Sequence, residues 1–277
     1  MRVRPTDDLG PARWLVESVT EFGGRVDQLL PPGFPGCVRL FHRPDQGLAD
    51  DGSAATWAAV AARHGTVLHS EAQWRSLTGG RVDSPQHPGP DASTDQPREG
   101  SLDRLTLPRL TEHLARHTTT PEVCHTALWV GFGSAPRSWE GLPTFRTPAR
   151  EYWLFPPAPV RSVPERSVDF EVAGIEEQSR EPGGVRGLMS IGRVPTRRSS
   201  DAWLEHVLAA GDLQSPSWWW PGDRAWVVHS EIDYDSTLVA GQAGLIADLL
   251  ADPELECLAV RPDTPLYVNA DRINGSA

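Results

Sequence analysis

The chain has 277 residues with 37 acidic and 26 basic side chains, a formal charge of -11, and that field repels phosphate polyanions, so no nucleic-acid partner is expected. The densest arginine group, Arg193, Arg197 and Arg198, falls in a Gly/Ser-rich stretch that reads as a solvated loop. Three widely spaced cysteines without a C-x-x-C pair exclude a disulfide framework and a zinc ribbon, and with no apolar run of about 18 residues no membrane partner is expected either.

The first residues, MRVRPTDDLG, lack the apolar segment of a secretory signal, which makes the cytoplasm the expected location. From Pro11 to Phe22, Leu15, Val19 and Phe22 recur at helical spacing, with Pro11 suited to a first turn and Gly23 to a stop. Cys37 to His42 predicts a strand. Ser53 is the expected cap of a helix striped by Trp57, Val60, Ala61 and His64, followed by a short strand at Thr66 to His69 and a short helix at Glu71 to Leu77. Residues 79–100 hold almost no large apolar side chain and predict a flexible excursion.

Thr106 is the expected cap of a helix that turns Leu107, Leu110 and Leu114 inward, and strands follow at His125 to Val130 and Glu151 to Phe155. Ser167 to Val172 alternates as a strand would. Residues 176–200 predict a second excursion and Asp201 to Ala210 a helix. Ala225 to Ser230 has the continuous apolar character of a central strand. A last helix is predicted from Leu238 to Leu250 and an edge strand from Cys257 to Val260. The order implies an α+β fold with a mixed or antiparallel sheet flanked by helices. It forms one unit, or two lobes at 1–78 and 101–277.

Two groups of residues could bear function. If the strand through Trp226 runs on to Asp235, the pleat places Glu231, Asp233 and Asp235 on one face about 6.6 Å apart, with His229 as a neighbour. Carboxylates so spaced suit acid and base roles in a hydrolase, or oxygen ligation of a divalent metal. Trp218, Trp219, Trp220 and Trp226, with Asp223 and Arg224, would form an apolar and charged platform for a small molecule or another protein. The second group is His113, His117, Cys124 and His125, four borderline ligands within thirteen residues that could close around zinc. A helix end and core thiols explain the same residues without a metal. No nucleophile elbow, Walker loop or dinucleotide fingerprint is present in the sequence.

The run Glu231-Ile232-Asp233-Tyr234-Asp235 is similar to the E-I-D-x-E strand of laminarinase-type glycoside hydrolases, with Asp235 where those enzymes place a second glutamate, and nothing is transferred from it. Arg13-Trp14-Leu15-Val16 with Pro31 to Phe34, Glu151 to Phe155, and Trp219 to Trp226 running into Glu231 to Thr237 together resemble a family of actinobacterial proteins without an assigned activity. That resemblance implies no reaction and no cofactor. A non-catalytic binding module is therefore the first expectation, and a carboxylate- or metal-dependent hydrolase the alternative.

Overall fold

The computed structural model describes residues 3–44, 56–79, 96–133, 135–167 and 214–275. Eight strands form one open antiparallel sheet in the order β3-β4-β2-β5-β6-β7-β1-β8. They are β1 Gly36–Phe41, β2 Cys124–Trp129, β3 Phe145–Arg146, β4 Glu151–Ala158, β5 Trp218–Pro221, β6 Trp226–His229, β7 Ser236–Gly241 and β8 Cys257–Val260. β1, from early in the chain, lies between β7 and β8, with Val38 opposite Val239 on one side and Ala259 on the other. The chain is thus an α+β protein with a purely antiparallel sheet, and β8 is an edge strand as expected.

Both faces of the sheet are covered, which is why the interior strands are almost continuously apolar. On one face Val38, Val228, Val239, Trp219 and Trp226 pack under α4 (Thr106–Arg116) and the C-terminal helix α5 (Ala243–Ala251), through Leu107, Leu110, Leu114, Leu245 and Leu249. On the other, Trp218, Trp220, Val227, Leu238 and Ala240 lie beneath the N-terminal segment, which contributes Leu15 from α1 (Arg13–Ser18), Val26 and Leu29. A third cluster joins Phe41 to Trp57 and Val60 of α2 (Trp57–His64) and to Trp74 and Leu77 of α3 (Trp74–Leu77).

Several local expectations change. The predicted first helix is shorter, with a 3-10 turn at Gly10–Ala12 before α1, because Val19 turns extended and the Ser18 hydroxyl donates back to the Trp14 carbonyl instead of supporting another turn. Thr56 caps α2, its hydroxyl accepting from the Ala59 amide, while Ser53 lies outside the described residues. Thr66 to His69 is not a strand. The largest correction is at Leu238, where the predicted last helix is two elements. Ser236–Gly241 is a fully buried strand and the helix begins at Ala243, so Leu238 and Leu245 pack on opposite faces of the sheet. Their seven-residue spacing imitates a helical stripe, and periodicity alone does not separate a short apolar run from a helix. Residues 80–95 of the first predicted excursion, all of 176–200 and the predicted helix at Asp201 to Ala210 lie outside the described residues.

Candidate functional site

The predicted platform is dismantled by the pleat. Trp218 and Trp220 point to one face of β5 and Trp219 to the other, Trp226 joins Trp219 in the helix-covered core, and all four indoles are 0–1% exposed. Trp226 Nε1 donates to the Leu114 carbonyl at 2.9 Å, so it anchors α4 and offers no stacking surface. Asp223 and Arg224 sit in the β5–β6 turn, at the opposite end of β6 from Glu231. There the Asp223 carboxylate accepts from the Thr119 amide and from the Thr118 and Thr119 hydroxyls at 2.7–2.8 Å. Arg224 adopts a φ of 55° and lays its guanidinium over Trp14.

The proposed histidine and cysteine centre also separates. His113 Nε2 bonds Asp252 at 2.5 Å and His117 Nε2 bonds Asp248 at 2.7 Å, both on or just beyond α5. Cys124 is buried in the helix-covered core with its thiol pushed up to about 12 by burial, and His125 stacks on Trp220 across the other face. Adjacent residues of a strand point to opposite faces, so Cys124 and His125 cannot meet one metal ion. Among the described residues no three His, Cys, Asp or Glu side chains gather as a metal-ligating group.

Nor does β6 continue to Asp235. Residues 230–235 form a turn, with the Tyr234 amide bonded to the Glu231 carbonyl at 3.1 Å, so the three acids do not alternate along a pleat. Glu231 folds inward, 2% exposed, and its Oε1 accepts from both Nε and Nη2 of Arg150 at 3.1 and 2.9 Å. Burial pushes its carboxyl above the usual range against the pull of Arg150. Its Oε2 faces His229 Nε2 at 3.8 Å. His229 stacks on Trp218 and its Nδ1 bonds the Leu29 carbonyl at 2.9 Å, which places the proton on Nδ1; burial holds the ring neutral, its pKa lowered to about 3. The same Arg150 reaches out to the exposed Asp233. Asp235 pairs with Arg39, itself 1% exposed, at 3.2 Å.

What this turn builds is one wall of a cleft of about 380 Å³. Asp233, Tyr234 and Asp235 line it together with Gln73, Trp74 and Arg75 at the start of α3, with Gln96, Pro97 and Glu99, and with Leu266, Tyr267 and Val268. Four separate segments therefore converge, and each is pinned. Arg39 donates to the Ser70 and Ala72 carbonyls at 3.1 and 2.7 Å as well as to Asp235, locking the approach to α3 onto the sheet. Gly100 adopts a φ of 72° and its amide bonds the Tyr234 carbonyl at 2.9 Å. A Cβ there would come within 2.8 Å of the Ile232 backbone, so only glycine lets the Glu99 segment dock on the turn. Gln73 ties the last wall, its Nε2 donating to the Leu266 carbonyl and its amide to Asp271.

Fold and cleft together define an α+β protein built on an open antiparallel sheet, with a concave site at the β6–β7 end. No protein-family model matches the chain, and neither a curated protein nor a solved structure matches it.

Proposed function

We propose that this chain is a non-catalytic binding module whose small-molecule ligand occupies the cleft between the Glu231 to Asp235 turn and α3. The observation that supports this is the convergence of aromatic and charged side chains, Trp74, Tyr234 and Tyr267 beside Arg75, Glu99, Asp233 and Asp235, around about 380 Å³. That volume lies within the range of roughly 300–1,000 Å³ typical of small-ligand pockets, and the mix of flat apolar surface with a few polar groups is their usual lining. The acids favour binding over hydrolysis here. Glu231 and Asp235 are each engaged by a guanidinium and Asp233 shares one, which suits fixed electrostatics better than a nucleophile that must attack.

The reading is tested by titrating a fragment collection into isotopically labelled protein and following amide and indole resonances. Binders are expected to shift the Trp74 indole and the Gln96, Asp233 and Tyr267 amides, and to lose affinity with Tyr267→Ala, a change at a side chain 42% exposed that the fold tolerates. Binders that perturb only other regions, or that ignore Tyr267→Ala, would overturn it.

A further inference from the structure

The charge inventory of the cleft does not close. Counting the ionised side chains that line it and the ion-pair network they belong to, there are four carboxylates, Glu99, Asp233, Asp235 and, through Arg150, Glu231, and three guanidiniums, Arg75, Arg39 and Arg150. Arg39 is committed to Asp235, and Arg150 is divided between Glu231 and Asp233, so one cation serves two acids. One negative charge is left over. It falls at the mouth, where Asp233 is 68% exposed on its side chain and Glu99 feels the field of Arg75 but forms no ion pair among the described residues.

Aromatic rings stand beside this surplus. Trp74, Tyr234 and Tyr267 line the same space, and a cation within about 6 Å of a ring centroid is attracted by its quadrupole. The protein already uses that interaction internally, with Arg39 over Phe41 at 4.7 Å and Arg150 over Trp129 at 5.6 Å. A directly ligated metal ion is a poor match, because the cleft oxygens are partly committed to arginines and no three ligating side chains gather among the described residues.

We infer that the cleft takes an organic monocation, an amine or amidine carrying a flat apolar body, with its charge on Glu99 and Asp233 and its body against Tyr234 and Tyr267. This rests on the cleft being the ligand site, and adds the sign and shape of the ligand. It has a proton signature as well. Burial and the neighbouring Asp235 and Asp233 raise the Glu99 carboxyl in the free protein against the opposite pull of Arg75, and a bound cation reverses the like-charge part of that shift. Binding then releases protons, and affinity rises with pH through the titration of Glu99.

Calorimetry on the full chain with phenethylamine, tryptamine and benzamidine, each against a neutral or anionic counterpart (2-phenylethanol, indole-3-acetate, benzamide), tests the assignment. The cations are expected to bind, the counterparts to bind at least tenfold more weakly, and Glu99→Gln to weaken the cations about fivefold, as loss of one exposed charge contact does. Glu99→Gln should also abolish the buffer-dependent heat of proton release. Counterparts that bind as tightly as the cations, with shifts still centred on Trp74, would overturn the cation and leave the cleft as a ligand site. Failure of all three cations, or indifference to both Glu99→Gln and Asp233→Asn, would likewise overturn the inference. Binding mapped away from Trp74 would overturn the site itself.

Discussion

Asp252 has a side chain only 1% exposed, and burial alone would raise its carboxyl. Hydrogen bonds from Arg109 Nε at 2.6 Å and His113 Nε2 at 2.5 Å outweigh that cost and hold it at about 2. A carboxyl depressed in the folded state binds fewer protons there than in the unfolded chain. Its contribution is therefore complete above the unfolded value near about pH 4 and is lost as pH falls toward about 2. The contribution is on the order of 2–3 kcal/mol. Asp252→Asn should flatten the acid limb of stability between about pH 4 and about pH 2, read from urea melts at successive pH values. An unchanged limb would show that other carboxylates govern acid unfolding. The sequence singled out His113 as a ligand candidate because its neighbours in the chain are His117 and Cys124. Its actual partner is 139 positions away, which no local spacing discloses.

Helix α2 depends on a residue of the opposite end of the chain. Its first two amides, Trp57 and Ala58, donate to the Glu256 carboxylate at 2.6 and 2.7 Å, just ahead of edge strand β8, while Thr56 receives the Ala59 amide. A negative charge on unsatisfied amides at a helix start is favoured both by hydrogen bonding and by the helix dipole. Burial nonetheless raises the Glu256 carboxyl, the cost of placing it there. Glu256→Ala should lower stability by about 1–2 kcal/mol and speed amide exchange in α2 while α4 stays protected. Equal deprotection of both helices would mean that α2 is not separately anchored. Elements of this kind were half legible. The Trp57, Val60, Ala61 stripe identified α2, and apolar runs identified β1, β2, β4, β6 and β8. Strand β5 was hidden because its three tryptophans read as a surface platform, and β7 because the spacing of Leu238 and Leu245 imitates a helical stripe.

At the scale of the whole molecule, the cleft was legible only through its acids. Asp233 and Asp235 stand out in the sequence, whereas Trp74, Glu99 and Tyr267 reach them through tertiary contacts that begin with β1 and its buried Arg39. That strand also decides whether the chain folds in parts. β8 pairs only with β1 among the described strands, and without β1 the buried β7 becomes an edge with an unpaired ladder. The N-terminal segment adds Leu15, Val26 and Leu29 to the core, and the Leu266 amide bonds the Gly24 carbonyl at 2.6 Å. A fragment of residues 101–277 would therefore lose a central strand and the cover of one sheet face together. Expressed alone, it should melt without a cooperative transition by circular dichroism. Adding a 1–78 fragment should restore a sigmoidal melt, because the missing contacts are non-covalent and β1 can insert between β7 and β8 from a separate chain. Retention of a sharp, wild-type-like transition by residues 101–277 would show instead that the sheet closes its core without β1, and that the Arg39 side of the cleft is a later addition to an independently stable unit.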